Sequence, residues 1–204
     1  NPQLLGEIGL IPGDNIFPFD IAIKNNVAYV AYDAYLTASD GGIVIIDISN
    51  PSAMTQSVVD SMGRYTSCEV EGDVLYTFDA QNEVLKLYNI STPSTPQLIS
   101  TLPNLSSSDG DEMGQLYIEG DYAYLTHSGS NNSDDQLSII DISDTMNPTV
   151  VGNIQLTHVY LSDDDAPFPI KKYQDYIFIA PTEDYGSPGE IIDVSDPTAP
   201  LFVS

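Results

Sequence analysis

NNVAYVAYDAYLTASDGGIVIIDISNP, residues 25–51, is the stretch whose reading decides the fold. Its first part, NNVAYVAY (25–32), alternates small apolar and aromatic residues behind a turn-forming Asn pair, a period of two that marks a strand. Its last part, GGIVIIDISNP (41–51), is an apolar run that ends in Asp47-Ile48-Ser49 and reaches Pro51. Asp and Ser side chains hydrogen-bond local backbone, so this reads as a second strand running into a tight corner. The polar residues between the two make a loop.

The same sentence is written three more times. The apolar run recurs as NEVLKLYNIS (82–91), DQLSIIDIS (135–143) and GEIIDVS (189–195), and the corner residue as Asn89, Asp141 and Asp193, at intervals of 42, 52 and 52 from Asp47. Seven residues further on stand Met54, Pro96, Pro148 and Pro200, and Pro2 lies 52 upstream of Met54. The alternating strand recurs as GDVLYTFD (72–79), GDYAYLTH (120–127) and QDYIFIAP (174–181). Shorter runs precede these: FDIAIK (19–24), SCEVE (67–71), QLYIE (115–119) and PIKKY (169–173). Others follow the corners, at 54–62, 96–102, 148–155 and 200–204, with 2–8 as a fifth copy.

Each unit is thus four short antiparallel strands, called A to D from the centre outward, and no useful helical period interrupts them. Four-stranded repeats of this length predict an all-β fold, a β-propeller of four four-stranded antiparallel blades, alone or as part of a larger propeller. A β-sandwich of irregular hairpins would not need one turn signature at one phase four times. The repeats fall at approximately 9–62, 63–102, 103–155 and 156–204 within a single domain, with 1–8 as an extra outer strand.

These residues carry a family resemblance as well. NNVAYVAYDAYLTASDGGIVIIDISNP and, less completely, GDYAYLTHSGSNNSDDQLSIIDISD (120–144) are similar to the LVIVD-repeat propellers of bacterial and archaeal surface and secreted proteins. Asn89 departs from the usual Asp, and the fourth repeat has lost part of its C strand. The resemblance implies the propeller and an extracellular or cell-surface setting, and no catalytic residues.

Composition narrows the partners. The 204 residues hold 5 Lys+Arg against 30 Asp+Glu, a formal charge of −25. Such a surface repels phosphate backbones and anionic headgroups, which removes nucleic-acid binding and electrostatic membrane docking. No apolar run is long enough for a membrane-spanning helix. A lone Cys68 excludes an intrachain disulfide or a cysteine zinc cluster, and His127 with His158 cannot make a three-histidine site. A chain that opens on Asn1 reads as a mature chain, a cut fragment, or both.

In this repeat the A–B and C–D connections share one face, short and uniform, where Asp, Asn and Ser form turns. The B–C and D–A connections share the other, which is long, variable and acidic, and such loops are where rigid scaffolds place function. Its acids include Asp14, Asp33, Asp40, Asp79, Glu183 and Asp184 and three clusters that offer oxygens to Ca2+: Asp109, Asp111 and Glu112; Asp134 and Asp135; and Asp163, Asp164 and Asp165. None follows an EF-hand pattern, and solvated acidic loops would look the same. His127 and His158 beside those acids suit a transition metal or an acid–base pair. Tyr35, Tyr160 and Tyr185, with Tyr65 and Phe17, suit a protein or glycan contact. Lys24, Lys171 and Lys172 on A strands are placed to neutralise Asp20, Glu69 and Glu119. Sequons at Asn104 and Asn131 are candidate glycosylation sites, and the one at Asn89, inside a turn, is expected to be less accessible.

No nucleophile elbow, phosphate loop or H-E-x-x-H occurs. The reading is a non-enzymatic extracellular module that binds a protein or glycan at its acidic loop face. One alternative is a filament or surface-layer subunit that self-associates by exchange of a terminal strand, since five outer strands serve four blades. The other is a propeller hydrolase or lyase with its active site on the loop face.

Overall fold

The computed structural model describes residues 3–10, 16–34, 41–105, 114–127, 135–157, 169–180 and 188–203. Blade 1 comprises β1 (Ile16–Lys24), β2 (Val27–Ala34), β3 (Gly41–Asp47) and β4 (Thr55–Gly63), and blade 2 comprises β5 (Tyr65–Glu71), β6 (Val74–Asp79), β7 (Val84–Asn89) and β8 (Gln97–Leu102). Blade 3 comprises β9 (Gly114–Glu119), β10 (Tyr122–His127), β11 (Gln136–Asp141) and β12 (Thr149–Gln155), and blade 4 comprises β13 (Ile170–Tyr173), β14 (Tyr176–Ile179), β15 (Glu190–Asp193) and β16 (Leu201–Phe202). Each blade is a simple antiparallel meander in chain order. The innermost strands neighbour one another as β1–β5–β9–β13, and among the described residues β13 and β1 make no comparable contact. The four blades form an open arc.

Two outer strands differ from expectation. Residues 3–10 pair with no strand among the described residues; they lie on blade 1, where the Gln56 side-chain amide donates to the Gly9 carbonyl and the Ser52 hydroxyl to that of Leu5. β16 pairs only Phe202 and Leu201 with β15, whereas β12 pairs along its whole length with β11.

The A–B turns explain their own sequences. Their first residues, Asn25, Gly72, Gly120 and Gln174, all have φ between 54° and 62°. Glycine meets no steric cost there, asparagine little, and glutamine the full penalty. Gln174→Gly is therefore expected to raise stability by about 1 kcal/mol, read as a higher denaturant midpoint at unchanged slope; an unchanged or lower midpoint would refute the strain.

The corners are Asx turns. Asp47, Asn89, Asp141 and Asp193 each accept the backbone N–H two residues on, from Ser49, Ser91, Ser143 and Ser195, at 2.8–2.9 Å. Hydrogen bonds from Ser49 and Ser143 hold the Asp47 and Asp141 carboxyls below the usual range, and the Ser195 N–H does the same for Asp193. A lowered folded-state pKa gives stability that is complete above the unfolded-state value and is lost as pH falls through the folded one. The acid-unfolding midpoint of Asp141→Asn is therefore expected to lie below that of the parent chain, because the amide keeps the turn and does not titrate. An identical acid midpoint would remove these corners as contributors.

Apolar side chains of adjacent blades form the core. Tyr29, Ile43 and Ile45 of blade 1 meet Cys68, Leu75 and Tyr88 of blade 2, and the same layering recurs between blades 2 and 3 and between 3 and 4. Polar stitches cross the inner strands. Asp20 accepts from the Ser67 hydroxyl at 2.7 Å and the Cys68 N–H at 3.0 Å, while Ser67 Oγ accepts the Leu116 N–H at 3.0 Å. Three blades thus share one chain of hydrogen bonds. Lys172 pairs with Glu119 as expected, but Lys24 does not serve Asp20. It reaches the A–B turn of blade 2, donating to the Gly72 carbonyl and the Asp73 carboxylate. Burial, reinforced by Asp20, pushes the Glu69 carboxyl up, and Lys171 offsets this only in part.

Candidate binding face

The side of the arc that carries the B–C and D–A connections is built from two columns of the repeat. One is the last residue of the alternating stretch 25–32 and of its copies 72–79 and 120–127, read as Tyr32, Asp79 and His127. The other lies three residues before the corner residue, read as Val44, Lys86, Ser138 and Glu190. The register places Lys86 against Thr77, Ser138 against Leu125 and Glu190 against Ile179. Blade 1 fills the second column with Val44; the other three blades put a polar group in the core.

In blade 2 the Lys86 ammonium sits 3.1 Å from Asp79 Oδ2, 3.1 Å from Asp60 Oδ2 and 2.5 Å from the Tyr65 hydroxyl. Asp79 is fully buried and also accepts from the Asn82 side-chain amide at 2.8 Å and from the Arg64 backbone N–H at 3.3 Å. Asp60, from the outer strand of blade 1, takes a further hydrogen bond from Tyr88 at 3.0 Å. Burial raises the Asp60 pKa, yet Tyr65, Lys86 and Tyr88 together overcome this and hold it below the usual range. Burial and the neighbouring anionic groups push the Tyr65 and Tyr88 phenols up, so both remain neutral donors. Alongside, the Arg64 guanidinium pairs with Asp33 at 3.1 Å. A largely buried cation between two carboxylates, with one neutral phenol on the cation and another on Asp60, welds blade 1 to blade 2.

In blade 3 His127 Nε2 lies 2.9 Å from Ser138 Oγ, and Ser138 donates to Asn153 Oδ1 at 2.7 Å. In the tautomer that fits this amide orientation, serine gives its one proton to Asn153 and Nε2 donates to Ser138. Activation of a serine nucleophile needs the reverse polarity, with the imidazole accepting. In blade 4 Glu190 Oε1 accepts the Thr157 N–H at 2.7 Å and the Thr157 hydroxyl at 3.3 Å, tying β15 to the connection that leaves blade 3.

Several expected site residues therefore stand elsewhere than the loops. His127 ends β10 and is buried, Asp79 ends β6 and is buried, Tyr65 opens β5 and is buried, and Phe17 belongs to β1. Asp135 is buried too, its carbonyl accepting the Leu156 N–H at 2.7 Å. Asp79 and Tyr65 are covered because they gather round Lys86 with Asp60 at the junction with the preceding blade, and His127 because it turns onto Ser138 of its own blade, whereas Phe17 remains 49% exposed. Asn104 is exposed, at a positive φ of 61°. Asn89 is exposed as well, contrary to expectation, because its turn engages only the amide oxygen. Tyr35, Tyr160, Tyr185, His158, Asn131, Asp109, Asp111, Glu112, Asp134, Asp163, Asp164 and Asp165 lie outside the described residues. Among the described residues no three His, Cys, Asp or Glu side chains group as metal ligands. Sequence reasoning missed Lys86, Asp60, Ser138 and Glu190. The available signal was a charged or polar residue inside an apolar run, as in VLKLYN.

A family model described as LVIVD repeat matches residues 19–59, 112–155 and 170–204, more than half of the chain. Blade 2, which carries Asn89 and Lys86, lies outside those matches and is nonetheless a complete blade. Among solved structures, hydrazine synthase of Kuenenia stuttgartiensis aligns at a TM-score of 0.61 and 15% identity over 96% of this chain and 53% of the other. A protein from Lactobacillus plantarum aligns at 0.60 and 12% identity over 92% and 55%, and a chain of a nidogen/laminin complex at 0.59 and 9% over 92% and 64%. This chain spans between about half and just under two thirds of these neighbours. At such identities the likeness concerns the fold. No curated protein matches the chain.

Proposed function

Because the chain belongs to the LVIVD-repeat family, we propose that it is a rigid, non-enzymatic binding module, working outside the cell or at its surface, that presents the acidic loop face to a protein or glycan partner. The observation that carries this reading is how the polar groups beneath that face are used. Lys86, Ser138 and Glu190 each join strands or blades, and His127 donates to Ser138 instead of accepting from it. The frame is stitched together by these groups, and the B–C and D–A segments of the sequence hold the acids and tyrosines offered to a partner. The use of this fold in a nidogen/laminin complex is in keeping with protein binding, and its use in hydrazine synthase keeps an enzyme as the competing reading.

With a formal charge of −25, the partner is expected to be cationic where it is a protein, and binding to weaken steeply with salt. The test uses a panel of basic proteins and a glycan array as probes, with Tyr35→Ala, Tyr160→Ala and Tyr185→Ala as variants. Affinity that falls in the tyrosine variants and persists in His158→Ala and His127→Gln supports the module. Turnover of glycosides, esters or lactones, lost in the histidine variants while their melting temperatures hold, would replace it with the enzyme.

A further inference from the structure

We propose that both ends of the arc are blade-docking faces covered by further four-stranded blades of the same repeat on the same polypeptide, and that residues 3–10 are the outermost strand of the blade standing before blade 1. This goes beyond the binding reading and does not depend on it.

The forward face is read from one set of columns. Tyr29, Ile43 and Ile45 in blade 1, Tyr76, Leu85 and Leu87 in blade 2, and Tyr124, Leu137 and Ile139 in blade 3 are all buried against the blade that follows. The equivalents in blade 4 are Phe178, Gly189 and Ile191, and here Phe178 is 41% and Ile191 39% exposed. They line a groove of about 430 Å³ together with Lys171. The groove exists because the large apolar residue of the middle column is replaced by Gly189.

The rear face is read from the inner strands. The column of Ile21 holds Cys68, Leu116 and Ile170 in blades 2 to 4, each at most 2% exposed beneath the preceding blade; Ile21 itself is 57% exposed, and Ile23 59%. Further out the same face of blade 1 is covered, and by residues 3–10. Their G-E-I-G-L (6–10) repeats the G-N-I-Q-L (152–156) of β12. A Cβ on Gly152 would lie 2.1 Å from the Pro197 carbonyl oxygen of the next blade, and a Cβ on Gly6 would lie 1.7 Å from that of Pro51, the equivalent corner. Ile8 and Leu10 pack on Ala28, Val30 and Val44 as Ile154 and Leu156 pack on blade 4. Residues 3–10 therefore make the contacts of an outer strand with the following blade and lack the three strands that would pair with them.

A second copy is the weaker occupant. It would bring another −25 charge to each face, and it would need residues 200–204 displaced before 3–10 could pair with β15. Further blades need neither, and the single chains this fold resembles are longer by blades' worth of length.

The chain contains no Trp, so Ile21→Trp and Ile191→Trp each place one reporter on one face. In residues 1–204 alone both indoles are expected to emit as exposed, to be quenched readily by acrylamide, and to sit in a monomer by light scattering. In the longest natural reading frame containing this chain, both are expected to shift to the blue with several-fold weaker quenching, and amides of residues 4–10 to gain hydrogen-exchange protection. Buried indoles in a dimer or fibre of residues 1–204 would make a second copy the occupant and overturn the proposal. So would exposed indoles in the longer chain, or a reading frame that encodes no further repeat.

Discussion

Lys86→Met is expected to cost about 3–5 kcal/mol of stability, because it leaves two carboxylates in the interior without the cation between them. The figure rests on burial: the side chains of Asp79, Lys86 and Asp60 are 0%, 17% and 25% exposed. Surface pairs of the same type contribute about 0–1 kcal/mol, so a loss below about 1 kcal/mol in urea unfolding at neutral pH would show that water already serves this cluster. Adding Asp79→Asn to Lys86→Met should recover a large share, since it removes one uncompensated charge. The pH dependence has a definite sign. Asp60 is held below the usual carboxyl range, so its contribution is complete above the unfolded-state value and disappears as pH falls through the folded one. The gap between parent and Lys86→Met should therefore narrow in acid.

Gly114→Ala should produce the second large effect, in the opposite physical sense. A Cβ there would stand 2.5 Å from the Phe78 ring and 2.9 Å from the Thr126 carbonyl oxygen. Phe78 is fully buried between blades 2 and 3 and has no room to retreat. Overpacking of this kind costs about 1–3 kcal/mol. Phe78→Leu, which alone removes apolar contact, should cost less in the Gly114→Ala background than in the parent, because it vacates the colliding edge. That non-additivity is the signature to measure in a double-mutant cycle. Strictly additive losses would mean that the strain is carried by the Thr126 backbone.

Four units, their strand order and their corner turns were legible in the chain because each is a local property. A period of two, a positive-φ turn at EGD, and an Asp two residues before a Ser need only near neighbours in sequence to be read. Asp141 accepts from Ser143 and can be understood without any other blade. The candidate site was much less legible. His127 and Asp79 looked like loop residues because polar residues follow or flank them, yet both end strands and are buried, His127 against Ser138 and Asp79 against Lys86. Tyr65 looked like a ligand contact and is a buried donor beside Lys86.

What the amino-acid order determined by itself was therefore the repeat, its β character, its phase and its charge. What only the tertiary structure decided was which polar residues leave solvent and which apolar ones remain in it. Lys86 meets Asp60 from blade 1 and Tyr65 from the start of blade 2, 26 and 21 residues away. Asp20 meets Ser67 across 47 residues. Ile21 and Leu116 occupy the same column with similar apolar character, and one is exposed while the other is buried. The difference is whether a blade stands in front. Burial is a relation between surfaces brought together by the fold, and no local pattern within a strand encodes it.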